Sequence, residues 1–137
     1  MMKIKQAWQR VPMLPVGWGE VFDKLTILQI KTEKLTDITK LENVKLEREQ
    51  IETVIGDIIQ FPGQLVGLMI ELKSINERIW DIENAKRDCE LRQCFDESFI
   101  TLAREVYFYN DQRALIKRKI NLLLDSIYVE EKSYKAY

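Results

Sequence analysis

The sequence predicts an all-α protein, an antiparallel helical bundle of about four helices arranged as two long hairpins. Glycine and proline, which interrupt helices, contribute only 5 and 3 of the 137 residues, whereas Lys, Glu, Leu and Ile are common. Apolar residues recur at helical spacing in four segments that are separated by short polar or proline-containing stretches. Such short connections place successive helices side by side in opposite directions.

The boundaries of the helices follow from capping residues and helix breakers. Asp96 precedes an apolar-periodic segment, so we expect its carboxylate to cap the fourth helix. The second helix is expected to stop before "FPG" at 61–63, because proline and glycine do not continue a helix. The four helices are predicted over about 19–35, 40–59, 64–90 and 97–126.

A chain of this length corresponds to one compact domain, residues 1–137. We divide it into an N-terminal arm (1–18), a helical core (19–126) and a C-terminal tail (127–137). The arm contains two prolines and no periodic pattern, so we expect it to be extended. A fourth helix of ~30 residues would be about 45 Å long at 1.5 Å per residue. The molecule is therefore expected to be elongated, with its long helix reaching toward a partner subunit.

The composition argues against several classes of function. The 21 basic and 22 acidic residues leave a net charge of -1, whereas a nucleic-acid-binding protein usually has a basic excess. The chain has no histidine, which is the commonest general base and the usual zinc ligand. Cys89 and Cys94 alone cannot complete a tetrahedral zinc site. We therefore expect no metal, no cofactor and no nucleic-acid partner.

The sequence also lacks the signals of a membrane or exported protein. No segment approaches the ~18 consecutive apolar residues that a spanning helix needs. The N-terminal residues "MMKIKQAWQRVP" contain no apolar run of the kind that a signal peptide has. A soluble, cytoplasmic protein without a membrane partner is the expectation.

Charged and amide residues interrupt the apolar faces of three predicted helices. In the first helix they lie in a wedge between two apolar faces, and in the third they fall in the middle of the apolar face. In the fourth helix they recur at spacings of three, four and four. These ten residues are our candidates for ligand binding: Glu20, Asp23, Lys24, Lys31, Asn76, Glu83, Asn110, Arg113, Lys117 and Asn121.

Burying an unpaired polar group costs on the order of 1–3 kcal/mol, so these residues are expected to meet in the interior. One interpretation is a structural network of ion pairs that fixes the register of the helices. The other is a polar pocket for a phosphate or carboxylate, with Arg113 as the forked ligand and lysines as point charges. The four bases of the set outnumber its three acids by one, so an anionic ligand would complete it.

Four segments occur in order between Gly19 and Tyr134: "GEVFDKLTILQIKTEKL", "NERIWDIEN", "REVYFYNDQRALIKRKINLLLDS" and "VEEKSY". They resemble a family of short bacterial and phage proteins that is classed as a domain of unknown function. Its members are similar to G-E-x-x-D-K-x-T-I-L-x-I-K near the start and N-D-x-R-A-x-x-K-R-x-I-N-x-L near the end. All ten candidate residues fall on this pattern, whereas Trp18 and the stretch 56–67 depart from it. Such proteins often occur beside glycosyltransferase genes, so the resemblance implies a link to surface-polysaccharide metabolism.

Three functions remain open at this point. The first is a binding or accessory module, a homodimer whose polar cluster binds an anionic metabolite such as a phosphate or nucleotide-sugar. The second is a small metal-independent enzyme of the helical chorismate mutase type, in which prearranged cations stabilise charge, although the motif of those enzymes is missing. The third is a structural oligomerisation module, because the first helix is apolar on nearly all sides. We favour the binding module over an enzyme.

Overall fold

A computed structural model describes residue 4 and residues 6–137, so part of the predicted arm, residues 1–3 and 5, lies outside the described residues. Over the described part of the chain there are four α-helices and no strand. The prediction of an all-α bundle of four helices is therefore confirmed. The helices are α1 (Trp18–Lys34), α2 (Ile38–Ile55), α3 (Gln64–Leu91) and α4 (Glu97–Leu123).

The ends of the helices agree closely with the capping pattern. Asp96 caps α4, since its Oδ1 accepts hydrogen bonds from the backbone N–H groups of Ser98 and Phe99 at 3.0 and 3.4 Å. Helix α2 ends a few residues earlier than predicted because Gly56 adopts a positive φ of 69°, which glycine tolerates and which terminates the helix. A short 3-10 turn, Ile58–Gln60, precedes "FPG", and another, Ala7–Gln9, lies in the arm that we expected to be extended.

The capping residue of α2 gives a direct test of this local structure. Asp37 Oδ1 accepts a hydrogen bond from the backbone N–H of Lys40 at 3.0 Å. Replacing Asp37 with Ala should lower the free energy of unfolding by about 1 kcal/mol, because the first turn of α2 loses its cap. Urea denaturation measures this loss, and Thr36→Ala, one residue outside the cap, is the control with no expected effect. Equal stability of the two variants would contradict the capping role.

Helix α1 lies at the centre of the core. Its buried Phe22 and Leu25 pack against residues of α3 and α4 in one cluster that also contains Leu65, Leu72, Ile116 and Ile120. Helix α2 packs chiefly against the remaining side of α1. Contacts with three helices therefore cover the apolar faces of α1 within a single chain.

The relative direction of the helices follows from polar contacts along their length. Helices α3 and α4 form an antiparallel hairpin, since Asn76 contacts Arg113 whereas Arg78, later in α3, contacts the earlier Glu105. At 28 and 27 residues they are each about 40 Å long. The start of α1 lies against the last turns of α4, where Gly19 allows a close approach. A Cβ at this position would lie only 2.4 Å from the backbone oxygen of Lys117.

None of the helices in the described residues is long and apolar enough to cross a membrane.

Candidate functional site

The centre of the site is Lys117, which α4 directs toward the first turns of α1. Its Nζ lies 2.8 Å from Glu20 Oε2, 3.1 Å from Glu130 Oε2 and 3.8 Å from Asp23 Oδ2. The Lys117 side chain is only 12% exposed. Burial lowers the pKa of Lys117, but the hydrogen bonds to Glu20 and Glu130 and the charge of Asp23 outweigh it and hold the pKa above its ordinary value. Lys117 is therefore a charged ammonium surrounded by three carboxylates.

Asn76 of α3 links Asp23, an α1 member of this ion cluster, to Arg113 of α4. Its Nδ2 donates to Asp23 Oδ1 at 2.9 Å and to Thr26 Oγ1 at 3.0 Å. The Thr26 hydroxyl in turn donates to the backbone oxygen of Asp23 at 2.8 Å. Asn76 Oδ1 accepts from Arg113 Nη1 at 3.4 Å. Among the described residues, no buried side-chain nitrogen or oxygen lacks a hydrogen-bond partner, so the interior part of the site is fully satisfied.

The N-terminus of α1 is capped by two side chains that lie about 100 residues later in the sequence. Gly17, the residue before the helix, has no side chain to cap it. The backbone N–H of Gly19 instead donates to Asn121 Oδ1 at 2.8 Å, and that of Trp18 donates to Ser126 Oγ at 3.0 Å. Asn121 therefore supports the fold at the position where the sequence predicted a ligand-binding residue.

The C-terminal tail folds back along α4. Its Glu130 pairs with Lys117, and its Glu131 pairs with Arg118 at 3.1 Å. The hydrogen bond from Lys117, together with the charges of Lys117 and Lys132, holds the pKa of Glu130 below its ordinary value against the opposing effect of burial. The Tyr137 ring packs against the Tyr107 ring with their centroids 5.3 Å apart. The tail is thus attached to α4 along its length.

The tail and α4 line an open cleft of about 520 Å³, which we call the tail cleft. Three cations, three tyrosines, one amide and one acid line it: Arg113, Lys132, Lys135, Tyr107, Tyr134, Tyr137, Asn110 and Asp111. The neighbouring carboxylate of Asp111 raises the pKa of the Tyr137 hydroxyl. Asp111 is the single acid of the cleft.

Arg113 differs from Lys117 in its partners. Within the part of the chain that the structure describes, Arg113 forms no ion pair, and its hydrogen-bond partner is the neutral oxygen of Asn76. Its side chain also lines a smaller cleft of about 310 Å³ beside Trp80 and Glu83. Arg113 is thus a half-buried cation at the junction of two clefts, and no described carboxylate pairs with it.

The structure brings six of the ten candidate residues together: Glu20, Asp23, Asn76, Arg113, Lys117 and Asn121. The other four form no hydrogen bond or ion pair with these six, although Asn110 and Glu83 each line a cleft together with Arg113. Lys24 pairs with Glu47 of α2 at 2.6 Å, and Lys31 forms no ion pair with any described residue. Glu83 pairs with Arg87 and Lys86 of its own helix, and the hydrogen bond from Arg87 lowers its pKa against the effect of burial. Asn110 lines the tail cleft.

Three residues of the cluster were not candidates on the basis of sequence: Thr26, Ser126 and Glu130. Glu130 follows no helical periodicity, and its only sequence signal was its place in the family-like segment "VEEKSY". Its presence reverses the expected charge balance, because three carboxylates now surround one lysine. The surplus of positive charge lies instead in the tail cleft.

Two chemical consequences follow from these contacts. Three carboxylates neutralise the charge of Lys117, whereas Arg113 has no carboxylate partner among the described residues. Within the described range, no group of three or more Cys, Asp or Glu side chains could hold a metal ion.

The model of one protein family matches residues 14–137, a range that contains all four helices, the polar cluster and the tail. Its description is a family of unknown function (DUF6165). No curated protein matches the chain, and no solved structure matches it. An uncharacterised family over most of the chain is what the resemblance in the sequence indicated.

Proposed function

Since the chain belongs to this family of unknown function, we propose from its site that it is a binding or accessory module for an anionic metabolite of the phosphate or nucleotide-sugar type. The binding site is the tail cleft, and Arg113 is the main ligand-binding residue. The surface-polysaccharide link that the resemblance implies is part of this proposal. The single observation that supports it most strongly is a half-buried guanidinium whose partner is neutral.

The charge of the tail cleft supports an anionic ligand. Arg113, Lys132 and Lys135 face one acid, Asp111, so the lining has a positive excess of two. Lys132 shares its charge with Glu130 at 3.5 Å, but its other hydrogen-bond positions remain open. A planar guanidinium matches two phosphate oxygens at once, and flanking lysines act as point charges.

The ion cluster at Lys117 has a supporting role in this proposal. Asn76 is held by Asp23 and Thr26, and it is this fixed amide that contacts Arg113. The guanidinium is therefore positioned before the ligand arrives, which reduces the entropy lost on binding. The two interpretations of the inward polar residues apply to different parts of the site: a structural network around Lys117 and an anion site around Arg113.

Substitution of Arg113 tests this function. Arg113→Met should weaken the binding of pyrophosphate by at least about tenfold, because a charge-assisted pair of hydrogen bonds is lost. Isothermal titration calorimetry measures the affinity, and Arg113→Lys should give an intermediate value. Arg48→Met, which removes a cation of α2 that pairs with Glu52, is the matched control and should bind as the wild type does.

Two results would count against the proposed function. One is the absence of binding to phosphate, pyrophosphate and nucleotide-sugars by the wild-type protein. The other is an affinity that Arg113→Met leaves unchanged while circular dichroism shows the helices intact.

A further inference from the structure

The tail cleft contains a second chemical feature that a bare phosphate would not use, namely three tyrosine rings. Tyr107 projects from α4, and Tyr134 and Tyr137 come from the tail. Tyr107 is 48% exposed and Tyr134 is 80% exposed, so both residues present free surface. Exposed aromatic rings beside cations are the elements with which proteins bind bases and phosphates together.

The rings are held in place by neighbouring groups. Tyr137 packs edge-on against Tyr107, at an interplanar angle of 63°. Lys132 Nζ lies 5.7 Å from the centre of the Tyr134 ring. Two tyrosine rings of the tail cleft are therefore in contact with each other, and the third lies beside a cation of the same cleft.

The aromatic ring and the guanidinium that α4 contributes to the tail cleft lie at different heights along the helix. Tyr107 precedes Arg113 by six residues, which corresponds to about 9 Å along the helix axis. Asn110 lies midway between them and also lines the cleft. Its amide can both donate to and accept from a hydroxyl or a base edge. Tyr107, Asn110 and Arg113 thus follow one another along the cleft in the order in which a base, a ribose and a phosphate are joined in a nucleotide.

From this arrangement, and resting on the proposed function, we propose that the ligand of the tail cleft is a nucleoside diphosphate or its ester. The base stacks on the tyrosines, the ribose lies beside Asn110, and the diphosphate binds Arg113, Lys132 and Lys135. The cleft volume of about 520 Å³ falls within the range of small-molecule sites, roughly 300–1,000 Å³.

The test compares four probes with the full chain by calorimetry: pyrophosphate, ADP, UDP and the phosphate-free nucleoside uridine. At least one nucleoside diphosphate should bind about tenfold or more tightly than pyrophosphate, because stacking of the base adds to the phosphate contacts. Uridine alone should bind much more weakly than UDP. Tyr107→Leu and Tyr134→Leu should each weaken the binding of the nucleoside diphosphate by a larger factor than the binding of pyrophosphate, so that the preference for the nucleotide falls.

Tyr109→Leu is the matched control, since Tyr109 lies on α4 beside Arg78 and does not line the cleft. The Tyr109→Leu protein should prefer the nucleoside diphosphate over pyrophosphate by the same factor as the wild type. Equal affinities of the wild type for pyrophosphate and both nucleotides would overturn this inference and leave the proposed function intact. A preference for the nucleotide over pyrophosphate that survives both tyrosine substitutions would have the same meaning. If no probe binds at all, the proposed function itself fails.

Discussion

Lys117→Met is expected to destabilise the fold by about 3 kcal/mol, one of the two largest effects that we anticipate. The substitution keeps the length of the side chain but leaves Glu20, Asp23 and Glu130 facing one another without their cation. Removal of one partner from a buried ion pair typically costs about 3–5 kcal/mol, and the value is placed at the lower end because the two glutamates are half exposed. Urea denaturation at neutral pH measures the change.

Two companion variants separate this effect from a general loss of surface charge. Lys24→Met removes a lysine of the same predicted set, but one that forms an exposed pair with Glu47, so it should cost less than about 1 kcal/mol. Asp23→Asn introduced together with Lys117→Met should restore part of the lost stability, because the least exposed carboxylate becomes neutral. Similar losses for Lys117→Met and Lys24→Met would contradict the central position of Lys117.

Gly19→Ala should be comparably disruptive for a steric reason. The added Cβ would lie 2.4 Å from the backbone oxygen of Lys117 and 3.1 Å from Asn121 Nδ2, so α1 must move away from α4. This movement also breaks the hydrogen bond between the Gly19 N–H and Asn121. We expect a loss of about 3 kcal/mol or more, detected as a lower melting temperature and a lower urea midpoint.

Gly67→Ala provides a control of opposite sign. Gly67 lies within α3, and a Cβ there would meet no atom within 4 Å. Because alanine favours the helix over glycine, this variant should gain up to about 1 kcal/mol. A Gly19→Ala protein as stable as the wild type would show that α1 does not approach α4 as described.

The sequence was sufficient to predict the helices and most of their ends. Apolar spacing defined the four segments, and Asp96 and "FPG" marked two of the boundaries. The end of α2 was placed too late because the periodic apolar residues continue through Ile58 and Ile59. The helix ends instead at Gly56, whose backbone adopts a positive φ, and the sequence shows only that this residue is a glycine.

The polar cluster was predictable only in part, and the reason is geometrical. Helical periodicity shows that Lys24 lies one turn after Glu20 and faces other helices, but it does not show which one. Because α1 has three helical neighbours, Lys24 meets α2 while Glu20 meets α4. The contact between Lys117 and Glu130 depends on a tail without periodic structure, so helical periodicity could not predict it.

The reason for expecting a second chain is also changed by the fold. The apolar faces of α1 required a cover from either three neighbouring helices or a second chain, and α2, α3 and α4 provide it within the chain. The homodimer therefore stays a prediction that rests on the remaining exposed apolar residues of the surface. Sedimentation at micromolar concentration measures it independently of the binding site.

The proposed site requires that Arg113, which has no carboxylate partner among the described residues, binds the anion, and that Lys117, which three carboxylates surround, does not. Titration of the ¹⁵N-labelled protein with pyrophosphate, followed by NMR, observes both places at once. The predicted result is a saturable shift of the Arg113 Nε–H and Asn110 side-chain signals, with the Gly19 amide near Lys117 nearly unchanged. A titration that leaves Arg113 unaffected, or whose largest changes fall at Gly19, would contradict it.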